Sequence, residues 1–135
     1  MNDTGTSRGH AGFTGLLASA HTPFNAAGRL ATNTIRAQYE LFLESGVDGV
    51  FLCGTAGEGH SLSCGERRTV LDAWVSASEG QYPVIAHVGH ASIRDAIRLA
   101  EHAAKAGAWA IAAMAPMAST DTFSTICAFS GTMKP

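Results

Sequence analysis

Six residues, Gly54-Thr55-Ala56-Gly57-Glu58-Gly59, follow directly on the apolar run Val50-Phe51-Leu52-Cys53 and gather groups able to hold a small anion. The glycines at 54, 57 and 59 let backbone N–H groups approach a ligand closely, and Thr55 adds a hydroxyl donor. Together they suit a carboxylate or a phosphate. The plainer alternative is a tight strand-to-helix turn without a ligand. Glu58 also has two readings: a general base, or, more simply, a carboxylate that caps local amides and holds the loop. His60, His87 and His90 would meet near the mouths of neighbouring strands if they bound a metal. No carboxylate lies at ligand spacing with them, so no metal site is expected. Cys64 opens a helix, where an N-terminus favours a reactive thiolate, and its alternative is an ordinary thiol near the surface. Arg67 and Arg68 read as a solvated helix face or a subunit contact.

Such groups need a frame, and the chain around them alternates short apolar runs with amphipathic segments, the pattern of parallel strands joined by crossover helices. Leu16 to Ala20 is a weak first strand, ended by His21-Thr22-Pro23-Phe24, with a turn at Gly28. From Thr32 the residues Ile35, Tyr39, Phe42 and Leu43 share one helix face until Gly46 stops it. Val50 to Cys53 reads as a strand covered on both faces. Ser63 with Glu66 forms a capping box before a helix that buries Val70, Leu71, Trp74 and Val75 and ends by Gly80. Pro83 opens a third strand, Val84 to Val88, and Ser92 caps a helix with Ile93, Ala96, Ile97 and Ala100 inward, closed at Gly107. Trp109 to Met114 is a fourth strand, ended by Pro116. Residues 1–12 and 118–135 are expected to be poorly ordered tails. About four βα units, with the last helix missing or replaced, fit either an open α/β sheet or half of a (β/α)8 barrel, whose complete form takes about 250 residues.

Composition narrows the classes. The 135 residues are 46% hydrophobic and 15% charged, against about 25% charged in soluble domains at large, which argues against disorder. A net charge of -2 offers no basic field for nucleic acid or an anionic membrane. No stretch approaches the roughly 18 apolar residues of a spanning helix, and the N-terminus lacks the pattern of a secretory signal. A cytoplasmic location is the expectation. Cys53, Cys64 and Cys127 make an odd set without zinc spacing, so reduced thiols are expected, with Cys53 packed as a small hydrophobe.

At the glycine loop the chain resembles a known family. Gly49-Val50-Phe51-Leu52-Cys53-Gly54-Thr55-Ala56-Gly57-Glu58-Gly59, with Glu66 beyond it, is similar to the first signature of the dihydrodipicolinate synthase and N-acetylneuraminate lyase superfamily. Thr22-Pro23-Phe24 resembles the family's TPF, and Leu62-Ser63 with Glu66-Arg67 its LS-x-x-ER helix start. Ile85-Ala86-His87-Val88-Gly89 is similar to the IAHVG of the sialic acid lyase branch, where the synthase branch more often carries Gly-Thr-Gly. The match runs from Phe13 to about Met117, the first half of a barrel. The resemblance implies a class I pyruvate aldolase. In that family a lysine amine on the sixth strand forms a Schiff base with pyruvate, an electron sink that lets the neighbouring carbon–carbon bond break or form. A tyrosine of the fifth strand relays the proton, and the second-strand loop holds the pyruvate carboxylate. No cofactor is implied, and full-length relatives are typically tetrameric.

Carried over residue by residue, Thr55 takes the hydroxyl role and Ala56 contributes its backbone N–H alone, where the family usually has Thr. Binding should be weaker by one hydrogen bond, about 1.5–3 kcal/mol for a charged acceptor. Gly54, Gly57 and Glu58 shape the loop. The Schiff-base lysine is missing: the chain has only Lys105, in the last turn of the third helix, and Lys134, next to the end. Tyr39 and Tyr82 lie on a helix face and before a strand, away from the relay position. Pro116-Met117-Ala118-Ser119 departs from the family's proline and two aromatics. Residues 118–135 are therefore expected to be an unrelated tail from a truncated gene, an alternative transcript or a frame change. The chain is expected to be inactive alone. The alternatives are a fragment of a synthase-like lyase, or a non-catalytic half barrel acting through binding or association. An unclosed barrel would expose strand edges and should associate or aggregate.

Overall fold

Apolar runs of three or four residues are too short for helices and long enough for strands, and the computed structural model, which describes residues 12–114, forms them so. The order is β1 (Leu17–Ser19), α1 (Ile35–Glu44), β2 (Gly49–Leu52), α2 (Cys64–Ala77), β3 (Val84–His87), α3 (Ile93–Ala106) and β4 (Ala110–Ala112). The strands lie side by side in chain order and are all parallel, in the registers Leu17↔Gly49, Val50↔Val84 and Ile85↔Ala110. Sequential parallel order decides between the two sheet types. A doubly wound sheet reverses its strand order at a switch point, whereas a barrel continues around with its helices on the outer face. The described residues form three βα steps of the barrel kind and a fourth strand.

Strand alternation sends Val50, Leu52, Val84 and Ala86 to the buried core they share with Val70, Leu71, Trp74, Leu99 and Ala103 of α2 and α3. Phe51 and Ile85, one residue out of step, lie on the other face of the sheet and are half-buried. Helix ends follow local chemistry. The Ser63 side chain accepts from the Glu66 N–H while Glu66 reaches back to the Ser63 N–H, starting α2 with a full capping box. Ser92 accepts from the Asp95 N–H at the start of α3, and Gly107, at φ 90°, closes it in the left-handed region where glycine carries no steric cost. The first turn of the helix expected from Thr32 is a 3-10 turn, Thr32–Thr34, before α1.

Three expectations change. Cys53 is not in β2, because its φ of 57° already turns the chain out of the strand. The inward stripe of α3 is rotated: Leu99 and Ala103 are buried, Ala96 and Ala100 are half-buried, and Ile93 and Ile97 are 59% and 42% exposed. The helix settles against α2 through Leu99 and Ala103, and no element among the described residues covers the Ile93–Ile97 side. Val75 is likewise only half-buried. The expected tails, Gly12 apart, and Pro116-Met117 lie outside the described residues.

Candidate functional site

The carboxyl ends of the strands carry the glycine loop, and its shape comes from its own backbone. Its left-handed positions are filled by Cys53 and Glu58 (φ 57° and 53°), and not by the glycines. The glycines answer close approach instead. A Cβ on Gly59 would overlap the Cys53 carbonyl, one on Gly54 would overlap the Phe51 ring, and one on Gly57 would sit 3.0 Å from the Ala20 carbonyl oxygen. The Glu58 N–H donates to the Thr55 carbonyl (3.0 Å), and the Gly59 N–H to the Gly54 carbonyl (3.0 Å), closing the loop on itself. The segment after β1 clamps it from the side: Thr22 Oγ1 donates to the Gly57 carbonyl at 2.6 Å, and His21 Nδ1 to the Ala56 carbonyl at 3.1 Å. This is the positional use of the Thr22-Pro23-Phe24 motif.

Gly54, Gly57 and Gly59 are buried by this closure, while Thr55 and Ala56 are exposed at the tip. Among the described residues the Thr55 and Ala56 N–H groups donate to no backbone carbonyl, which leaves two amides and a hydroxyl together for an anion. Glu58 does not cap amides as expected. Its side chain is exposed and makes no cap hydrogen bond, and it is its left-handed backbone that shapes the loop.

Behind the loop, Arg67 is buried, contrary to the expected solvated face; Arg68 is exposed. Arg67 falls on the inner face of α2 with Val70, Leu71 and Trp74, and its guanidinium reaches the end of β3. It donates to the Gly89 carbonyl at 2.9 Å, to the His87 carbonyl, and to His87 Nδ1 at 3.3 Å. Burial first, then Arg67 and His60, hold His87 below its ordinary value, and Nδ1, facing a guanidinium that can only donate, accepts. Burial also pushes the Cys53 thiol up, which fits its packing role.

The three histidines do not converge. The His60 and His87 rings are 6.1 Å apart, but His90 turns away, its Nδ1 accepting the Ser92 N–H at 2.9 Å and lying 3.9 Å from Asp95 Oδ2. Asp95 is thus a carboxylate beside a histidine, and Cys64 stands with both. Linear spacing did not suggest this set because the Ser92 cap folds Asp95 back towards His90; the signal present was a cap residue between them. Tyr82 donates to the Val47 carbonyl at 2.7 Å, and burial pushes its phenol up to about 12. Tyr39 packs edge-on against it at 5.2 Å. Lys105 is exposed at the last turn of α3, at the end of the sheet away from the loop. No helix among the described residues is long and apolar enough to cross a membrane.

With this geometry in view, the relatives are informative. The profile of the dihydrodipicolinate synthetase family matches residues 12–131, running past Met117. N-acetylneuraminate lyase of Homo sapiens is 43% identical over 105 residues, covering 76% of this chain and 32% of the relative. The 4-hydroxy-tetrahydrodipicolinate synthase of Rhizobium meliloti is 39% identical over 104 residues, covering 77% and 35%. Among solved structures, Proteus mirabilis N-acetylneuraminate lyase superposes with a TM-score of 0.72 at 39% identity, over 75% of this chain and 34% of that one. A prophage protein of the dihydrodipicolinic acid synthase family from E. coli K12, solved in complex with pyruvate, gives a TM-score of 0.76 at 30% identity, over 80% and 36%. The chain spans about a third of the length of these relatives, less than the half that four strands of a barrel suggested. The chain belongs to the dihydrodipicolinate synthetase family, and its three βα units with the fourth strand correspond to part of that family's barrel.

Proposed function

We propose that the Gly54–Gly59 loop is the carboxylate grip of a pyruvate-dependent aldolase of the N-acetylneuraminate lyase kind. The observation that carries this reading is the exposed Thr55-Ala56 tip, where two amides without backbone acceptors and one hydroxyl stand at the carboxyl ends of parallel strands. The pyruvate complex of a family member supports the ligand. His87-Val88-Gly89, with the identity to N-acetylneuraminate lyases, favours the lyase branch over a synthase-like one.

The reaction is retro-aldol cleavage of a sialic acid. A lysine amine condenses with the substrate ketone and releases water. The iminium takes the electron pair as the carbon–carbon bond breaks and a tyrosine takes the proton of the neighbouring hydroxyl, which releases the amino sugar and leaves an enamine; protonation of the enamine carbon and hydrolysis by water then free pyruvate and the lysine. Here Thr55 donates its hydroxyl and N–H to the carboxylate, and Ala56 its N–H; Gly54, Gly57 and Glu58 shape the backbone that aims them. On this reading the lysine and the proton-relaying tyrosine are not among these 135 residues, since Lys105 lies in the last turn of α3, at the end of the sheet away from the loop. By itself the chain forms no Schiff base and is inactive. Cytoplasmic location and homo-oligomeric assembly belong to the same reading. A second reading, a non-catalytic partial barrel that acts by association, is favoured by the edges of β1 and β4, which have no neighbour among the described residues.

Two measurements test this. Titration with pyruvate followed by amide NMR should shift Thr55, Ala56 and Gly57, and Thr55→Val should weaken the effect; shifts elsewhere, or none, favour the association reading. Borohydride trapping with pyruvate should leave the chain unmodified. A covalent adduct on Lys105 or Lys134 would refute the claim that it cannot form the Schiff base.

A further inference from the structure

We propose that Cys64, His90 and Asp95 form a binding site for a zinc-class divalent ion, separate from the carboxylate grip. One ligand atom from each residue, a thiol sulfur, an imidazole nitrogen and a carboxylate oxygen, lies within 4.8 Å of the other two. Ligands around a four-coordinate zinc sit roughly 2.0–2.3 Å from the ion, so the three need only close by side-chain rotation. All three are half-buried, which leaves an ion a path from solvent and a fourth position for water. The donors come from two separate anchored elements: Cys64 is the first residue of capped α2, and His90 and Asp95 flank the Ser92 cap of α3.

The donor chemistry selects the ion. A sulfur and an imidazole exclude magnesium and calcium, which take oxygen ligands, and suit zinc or cobalt(II). Both helix N-termini carry positive partial charge, which by itself opposes a cation. Ligation answers this: the S–H bond breaks, sulfur bonds the metal, and the proton passes to solvent. Thiolate and carboxylate then neutralise the ion, so the helix ends face a neutral assembly. Asp95 is already oriented, with Oδ1 3.6 Å from Arg98 and Oδ2 3.9 Å from His90. The cost is the Ser92 N–H, which gives up His90 Nδ1 and, at a partly exposed cap, turns to water.

The test is titration of the full chain with cobalt(II), read by its thiolate-to-metal charge-transfer absorption, with zinc as competitor. The expected result is one ion per chain, an absorption band that zinc abolishes, and loss of the band in Cys64→Ser. His90→Ala and Asp95→Asn should each weaken binding roughly tenfold or more, while Cys127→Ser and His60→Ala retain it. Absence of a band in the unmodified chain overturns the site, as does a band that survives Cys64→Ser. Wild-type affinity in both His90→Ala and Asp95→Asn does so too. Since the unmodified chain is decisive, a variant that fails to fold leaves the outcome readable.

Discussion

On the proposed reading, a carboxylate bound at Ala56 would meet a backbone N–H and a methyl group, with no second hydroxyl beside that of Thr55. Ala56→Thr restores one donor at an exposed position and should tighten pyruvate binding by about 1.5–3 kcal/mol, roughly tenfold or more, by calorimetry. Unchanged affinity would place the carboxylate elsewhere. His87 gives a pH signature. Its folded-state value is held below 6.5 by burial, then by Arg67 and His60, whereas the unfolded chain takes up the proton at about 6.5. The group therefore contributes stability that is present above 6.5 and is lost as pH falls through the folded-state value. The melting temperature should drop on acidification below 6.5, and His87→Asn should flatten that part of the profile; parallel profiles would show that His87 is not the group responsible.

Among the elements, the joint between α2 and the end of β3 adds one buried guanidinium to its apolar packing. Arg67→Leu leaves the Gly89 and His87 carbonyls without their donor, at about 1–3 kcal/mol for each buried acceptor stranded. Urea denaturation should show the loss, and Arg67→Lys, lacking the fork, should recover only part of it. An unchanged midpoint would mean water replaces the guanidinium at no cost. This joint also marks where sequence reading reaches its limit. The strands, the caps at Ser63 and Ser92, and the stops at Gly46 and Gly107 were legible because each is decided within a few residues. So was the place of the glycine loop, after a strand and before a capped helix. The burial of Arg67, the rotated face of α3, and the meeting of Cys64 with His90 and Asp95 depend on how whole elements settle against each other. Local spacing does not encode that. The glycines were read as admitting a ligand, whereas the contacts a Cβ would meet there are with the protein's own atoms.

For the whole molecule, the sheet leaves two edges, β1 and β4, without a neighbour among the described residues. Leu16, Leu17, Ile93, Ile97, Trp109 and Met114 are exposed around them. Unpaired strand edges beside apolar surface invite pairing with other chains. Sedimentation should show concentration-dependent self-association, and a monodisperse, cooperatively melting monomer would contradict it. The same sequential sheet also sets how the chain opens. Among the described residues, β2 and β3 have a partner on each side and bury most of their residues, whereas β1 and β4 have one partner and bury none fully. Backbone amides should therefore exchange with heavy water last at Val50 to Leu52 and Val84 to Ala86, and first at the outer strands. The Gly54–Gly59 loop follows β2, one of the two strands expected to exchange last. Its aim thus survives fluctuations that fray the rims, and a ligand would find the grip formed in molecules whose edges are momentarily undone.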